Sequence, residues 1–157
     1  MKIHKVPIMS KEEYDELINT QYICRIGFTG EYPYIAPFIY VFDGNFLYFL
    51  STKYGTKIRR LKNNPNVVVE IEKFNSDLSS YSFVTLQGKI KEVKNSNKKL
   101  SVQKRFLDLI YSESLSKNIL AALGHSPDDD YESLLHDKKS YVWKLVDVEN
   151  IVGIKNL

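Results

Sequence analysis

Cys24 is the only cysteine in the 157-residue chain, which excludes an internal disulfide and any metal site built from several thiolates. Long apolar runs are missing as well. None approaches the roughly 20 residues that a membrane-spanning helix needs, and the N-terminus carries no apolar signal segment. The expectation is a cytoplasmic protein with no membrane partner. Charge of one sign is scarce: 22 Lys and Arg against 19 Asp and Glu leave a net +3, with a pI near 8.8. That field is too weak to imply nucleic acid without a concentrated patch. No internal repeat and no linker-like stretch divides the chain, so one domain over residues 1–157 is expected, large enough to bury a core without staples.

What the chain has in quantity is aromatic residues, 11 Tyr and 8 Phe, which favour strands and pockets for flat ligands. They concentrate between Tyr34 and Pro65, YIAPFIYVFDGNFLYFLSTKYGTKIRRLKNNP. From Tyr34 to Phe42 the side chains alternate with the period of a strand, and both faces are apolar. Asp43-Gly44 reads as a two-residue hairpin turn, and Phe46–Leu50 as the returning strand. Ser51 to Lys57 then forms a loop of hydroxyls, lysines and one glycine, leading into a short helix that Asn64-Pro65 ends. Ser51, Thr52, Thr56 and Lys57 supply the cation and short donors that a phosphate requires, with Gly55 allowing the backbone to come close. If Thr56 opens the helix, its free amides face the same anion. A solvated hairpin-to-helix loop with surface lysines reads the same way.

This pattern resembles the flavin mononucleotide (FMN)-binding split-barrel family of pyridoxamine 5′-phosphate oxidase, in particular its nitroimidazole-resistance branch. The resemblance is carried by a strand with Pro37 near its middle, the hairpin, the aromatic strand, Gly55-Thr56-Lys57, the short helix and Asn64-Pro65. Ile23–Phe28 before the hairpin and Val84–Ile90 after it belong to the same pattern. The resemblance implies a mainly β fold, a split β-barrel with appended helices, assembled as a homodimer with FMN in two equivalent grooves between subunits. It also implies that Ala36, Pro37, Phe38 and Ile39 hold the ring, the amides of Phe38 and Ile39 meeting its pyrimidine edge. Leu50 stands where the nitroimidazole-resistance proteins carry a histidine, so their activity does not transfer. Phe83 stands where pyridoxamine phosphate oxidases have a polar flavin contact. Trp143 closes the pocket across the dimer or packs in a core or interface. The chain ends Gly153-Ile154-Lys155-Asn156-Leu157, without the charged substrate motif of those oxidases, and vitamin B6 oxidation is not expected.

The rest of the chain completes such a barrel. Ser10-Lys11-Glu12-Glu13 has the form of a capping box and starts a helix with Tyr14, Leu17 and Ile18 on one stripe. Strands are expected at Tyr22–Thr29, Val67–Glu72, Tyr81–Val93 and Tyr141–Val146, with Gly88 marking a bulge or a close backbone approach. A helical insert at about 97–136 precedes the last strand: one helix to about Tyr111, one over Leu115–Leu123 ending at Gly124, and a short one opened by Ser126-Pro127. The insert is expected to set access to the pocket. His125, Asp128, Asp129, Asp130 and His136 are metal-ligand types, but a helix N-terminus accounts for the aspartates without a metal. The basic run Lys89–Arg105 is broken by Glu92 and lacks interleaved aromatics, so a solvated face explains it.

No acid, base or nucleophile is required for flavin chemistry, and no catalytic side chain is assigned. The resulting expectation is an FMN-dependent oxidoreductase reducing a small organic molecule, with a pyridine nucleotide as candidate donor. The alternative is a non-catalytic flavin-, deazaflavin- or haem-binding protein on the same scaffold.

Overall fold

The structure, a computed structural model, describes residues 3, 5–136 and 138–156; Leu157 of the C-terminal segment quoted above lies outside them. The chain opens with α1, Lys11–Thr20. Its capping box is complete: the Ser10 hydroxyl accepts from Glu13 N–H at 3.3 Å, and the Glu13 carboxylate accepts from Ser10 N–H at 3.1 Å. Leu17 and Ile18 are buried and, with Tyr14, pack on the barrel core, so the stripe read from the sequence is the face that the helix buries.

Among the described residues six antiparallel strands follow: β1 (Ile23–Phe28), β2 (Tyr34–Phe42), β3 (Leu47–Thr52), β4 (Asn66–Phe74), β5 (Tyr81–Glu92) and β6 (Ser140–Lys155). They close into a barrel in the order β1-β2-β3-β6-β5-β4, with β4 returning to β1. They are accompanied by α1, by α2 (Thr56–Asn63) between β3 and β4, and by α3 (Ser96–Ser112) and α4 (Ile119–Ala122) before β6. This is a split β-barrel with appended helices. No described helix is long and apolar enough to cross a membrane.

Two apolar clusters hold the fold. Inside the barrel lie Ile26, Phe28, Phe38, Tyr40, Phe49, Val69, Ile71, Val84 and Trp143, with Ile58 and Leu61 of α2 packed at its margin. Outside it, Val41, Tyr48, Leu50 and Val142 of the sheet meet Val102, Phe106, Ile110, Leu120 and Leu134 of the insert. Each such fully buried large side chain contributes about 1.5–3 kcal/mol, so the insert is part of the stable fold. β3 is therefore buried on both sides, which is why its residues are apolar at consecutive positions. β2 is covered on both faces only at its C-terminal half: Ile35 and Pro37 on the outer face are exposed, while Val41 lies under the insert.

Four expectations need correction. Asp43 N–H donates to Phe46 O, so the hairpin loop is Gly44-Asn45, one residue beyond Asp43-Gly44, with the Asp43 carboxylate accepting from the Asn45 and Phe46 amides. The last strand runs to Lys155 and not to Val146. Asp147 at φ 50° and a register shift between Gln87 and Lys89 form a bulge, which bends β6 and lets one strand serve both β3 and β5. A Cβ at Gly88 would lie 2.8 Å from Val146 O, so that glycine marks both the irregularity and the close approach. The helix expected over Leu115–Leu123 contracts to α4. No helix starts at Ser126: its hydroxyl accepts from Asp128 N–H and its own N–H donates to Asp129, local bonds that close a turn instead. A 3₁₀ turn, Tyr131–His136, follows.

Candidate functional site

The loop between β3 and α2 is shaped by its own short bonds. Ser51 is buried and its hydroxyl donates to Thr52 O at 2.9 Å; the Thr52 hydroxyl donates to Tyr54 O at 3.2 Å. Gly55, at φ 107°, stands at the N-cap in a conformation that side chains disfavour, with open space where a Cβ would lie. Backbone geometry, not crowding, therefore selects glycine there. No side chain caps α2, and its first turn has no acidic residue, so its positive end has no protein counter-charge within the helix.

Lys57 sits in that first turn. Its ammonium lies 5.7 Å from the centroid of the Phe38 ring, and burial alone holds it below the ordinary lysine value. Among the described residues no carboxylate lies within ion-pair distance of it. The protein pairs other cations, Arg25 with Glu70 and Glu72, Lys98 with Asp43, and Lys155 with Glu13. A half-buried lysine with no ion-pair partner among the described residues, at an uncapped helix start, is suited to an anion supplied from outside the chain.

The strand segment Ala36–Ile39 lies beside an open sheet edge. β3 pairs with β2 only at Tyr40–Phe42, so among the described residues the side of β2 away from β1 has no neighbouring strand from Tyr34 to Ile39. Tyr40 N–H donates to Tyr22 O, and antiparallel pairing alternates, so Phe38 N–H also points to β1 while the amides of Ile35 and Ile39 point to the open edge. The expected donor pair Phe38 and Ile39 is thus corrected: Ile39 is aimed outward and Phe38 is not. The Ala36 and Phe38 side chains face the barrel interior; Pro37 and Ile39 face out.

Three of the residues singled out from the sequence do not join this group within one chain. Leu50 is 2% exposed and faces the insert, because Phe49 takes the inward position. Trp143 is core, 5.8 Å from the Phe38 ring, and presents no surface to close a pocket. Phe83 pairs with Ile154, whereas Ser51 pairs with Tyr141, so the two lie at opposite ends of β6. The insert covers the face of β3 and β6 that carries Leu50 and Val142; it meets the loop where a Cβ at Gly124 would lie 3.7 Å from the Thr52 Cα.

Two features were missed in the sequence. A cavity of about 400 Å³ opens beside α2, lined by Thr29, Gly30, Glu31, Thr56, Arg59, Arg60, Asn63 and Asn64. The signal was present, since positions 56, 59, 60 and 63 share one helical face. Next to it a groove of about 690 Å³ runs over the outer wall, past Gly27, Pro33, Ile35, Val68 and Gly88. Elsewhere, His125 Nδ1 lies 3.3 Å from Ser133 Oγ and 3.9 Å from Asp129, and no group of metal-ligand side chains is gathered among the described residues. Cys24 is buried, which pushes its thiol well above the ordinary range and away from thiolate chemistry.

Residues 10–134 match a family model described as pyridoxamine 5′-phosphate oxidase. A search of curated protein sequences gave no match. Among solved structures the chain is similar to an FAD-binding protein from Mesorhizobium loti, with TM-score 0.72 at 17% identity over 97% of this chain and 99% of that one. An FAD-binding protein from Mycobacterium smegmatis gives TM-score 0.66 at 15% identity over 96% and 100%. HutZ, a haem storage protein from Vibrio cholerae, gives TM-score 0.67 at 12% identity over 92% and 94%. At these identities the likeness is one of fold.

Proposed function

Because the chain belongs to the pyridoxamine 5′-phosphate oxidase family, we propose that it binds a flavin as FMN, and that it is a flavin-dependent reductase of a small organic molecule. The observation that carries this reading is Lys57, half-buried and unpaired among the described residues beside the uncapped start of α2. Lys57, the α2 amides and the Thr56 hydroxyl take the phosphate. The Ile39 amide at the open edge of β2 meets a carbonyl acceptor of the ring, with Pro37 and Ile39 as the apolar cover. These residues fit the group: the cation is desolvated and has no counter-charge among the described residues, and the strand has an outward amide. When bound, a flavin supplies hydride transfer, here between a donor such as a pyridine nucleotide and the organic acceptor. The chain's own residues position the cofactor and exclude water.

The same reading includes a homodimer. Ile23, Ile35 and Val68 are 54%, 66% and 37% exposed, and the register places Ile35 and Val68 on either side of Gly27. This apolar strip on the outer wall is suited to a second copy, which would also bring residues such as Phe83 to a site they do not reach within one chain. A cytoplasmic location, where a pyridine nucleotide is available, accords with this function.

An absorption spectrum of the purified protein tests the proposal. Flavin bands, bleached by a pyridine nucleotide and restored by a small organic acceptor faster than by oxygen, support a reductase. Bound flavin that no donor reduces replaces it with a binding role, and a haem spectrum replaces the cofactor. A colourless protein that ignores added FMN contradicts it.

A further inference from the structure

The cavity beside α2 holds charge that one bound phosphate does not require. Thr56, Arg59, Arg60 and Asn63 lie on a single face of α2 and look across the opening at Thr29 and Gly30. Arg60 is half-buried: it donates to Thr29 O at 3.4 Å, and a Cβ at Gly30 would overlap its guanidinium. Arg59 is exposed and reaches the Thr56 hydroxyl at 3.5 Å. Among the described residues neither arginine has a carboxylate within ion-pair distance. Glu31 is the one acid in the wall, so the lining carries two positive charges against one negative. Guanidinium groups match phosphate oxygens with two parallel bonds, and the carboxamides of Asn63 and Asn64 add neutral donors.

We propose that this cavity is a second phosphate subsite, taking a phosphate of a nucleotide. The proposal deepens the flavin reading, because Thr56 belongs to both the Lys57 site and the cavity wall. Lys57 and Arg60 are three residues, about one helical turn, apart on α2, so one ligand can span both. The nucleotide is either the adenylate half of a dinucleotide flavin or a separate nucleotide such as the electron donor. Both present the same phosphate chemistry to the arginines.

Isothermal titration of the full chain with FMN, FAD and 5′-AMP, for wild type and Arg59→Gln/Arg60→Gln, tests it. A charge-assisted contact corresponds to about tenfold or more in affinity. If the subsite serves a dinucleotide flavin, wild type binds FAD tighter than FMN by that factor, and the double variant loses the increment while keeping its FMN affinity. If it serves a separate nucleotide, FMN and FAD bind alike and 5′-AMP binds the FMN-loaded protein, again lost in the variant. Glu31→Gln strengthens whichever ligand binds. Because Arg60 braces the Gly30 turn, the exposed Arg59→Gln alone carries the test should the double variant melt lower. Should the protein bind no flavin at all, 5′-AMP titrated into the flavin-free protein still decides: binding lost on Arg59→Gln supports the subsite. Wild-type affinity for FAD and 5′-AMP retained in a folded double variant, or no nucleotide binding in wild type, overturns it.

Discussion

Lys57→Met removes one charge and keeps most of the apolar stem that lies near Phe38. If the ammonium makes a charge-assisted bond to phosphate, its loss costs about 1.5–3 kcal/mol, which weakens FMN by about 10- to 150-fold. The α2 amides remain, so binding is reduced and not abolished. The flavin-free protein responds with the opposite sign. Burial lowers the Lys57 pKa from its ordinary 10.5, so the charged form is penalised in the folded state. Between the folded value and 10.5 the unfolded chain holds more protons, and stability therefore rises with pH through that interval. Removing the charge relieves the penalty at neutral pH, and flavin-free Lys57→Met melts at or above the wild-type temperature. FMN affinity of wild type falls as pH climbs through the depressed pKa, and in the variant it is flat there. Fluorescence quenching of FMN and thermal melts read all three effects. An unchanged FMN affinity would remove Lys57 from the phosphate site, and a variant that melts several degrees lower without ligand would show that the buried charge carries no penalty.

Gly88→Ala places a methyl 2.8 Å from Val146 O and should cost about 1–3 kcal/mol in urea denaturation; an unchanged midpoint contradicts the close approach. Leu50→Ala, under the insert, should lose about 2–5 kcal/mol of stability. FMN affinity should stay unchanged in that variant, and a selective loss of flavin would return Leu50 to the site. Ile35→Lys puts a charge on the exposed apolar strip and should convert a dimer to a monomer by light scattering, with weaker flavin binding; an unaltered mass removes that face from the interface.

The local features were legible because each has a short-range cause. The capping box at Ser10, the alternation of Tyr34–Phe42 and the uncapped Gly55-Thr56 start are written in a few consecutive residues. Features set by distant neighbours were not. Apolar residues at both Phe49 and Leu50 announce burial on two sides, but only the packing of α3 shows that Leu50 lies under the insert. Which of Phe38 and Ile39 offers an amide depends on the register with β1, fixed by Tyr40 bonding to Tyr22. Asp147–Asn150, polar at three of four positions, reads as the end of a strand, although it continues β6 past a bulge. The arginine face of α2 was visible as spacing, yet its meaning came from the Gly30 turn that closes the cavity.

The proposed function turns on the start of α2 binding the phosphate of a flavin. Comparing FMN with riboflavin in parallel titrations isolates that phosphate without altering the protein. FMN binding at least tenfold more tightly than riboflavin is the predicted result, by the same contact energy assigned to Lys57. Equal affinities, or binding of neither, would mean that the start of α2 holds no flavin phosphate.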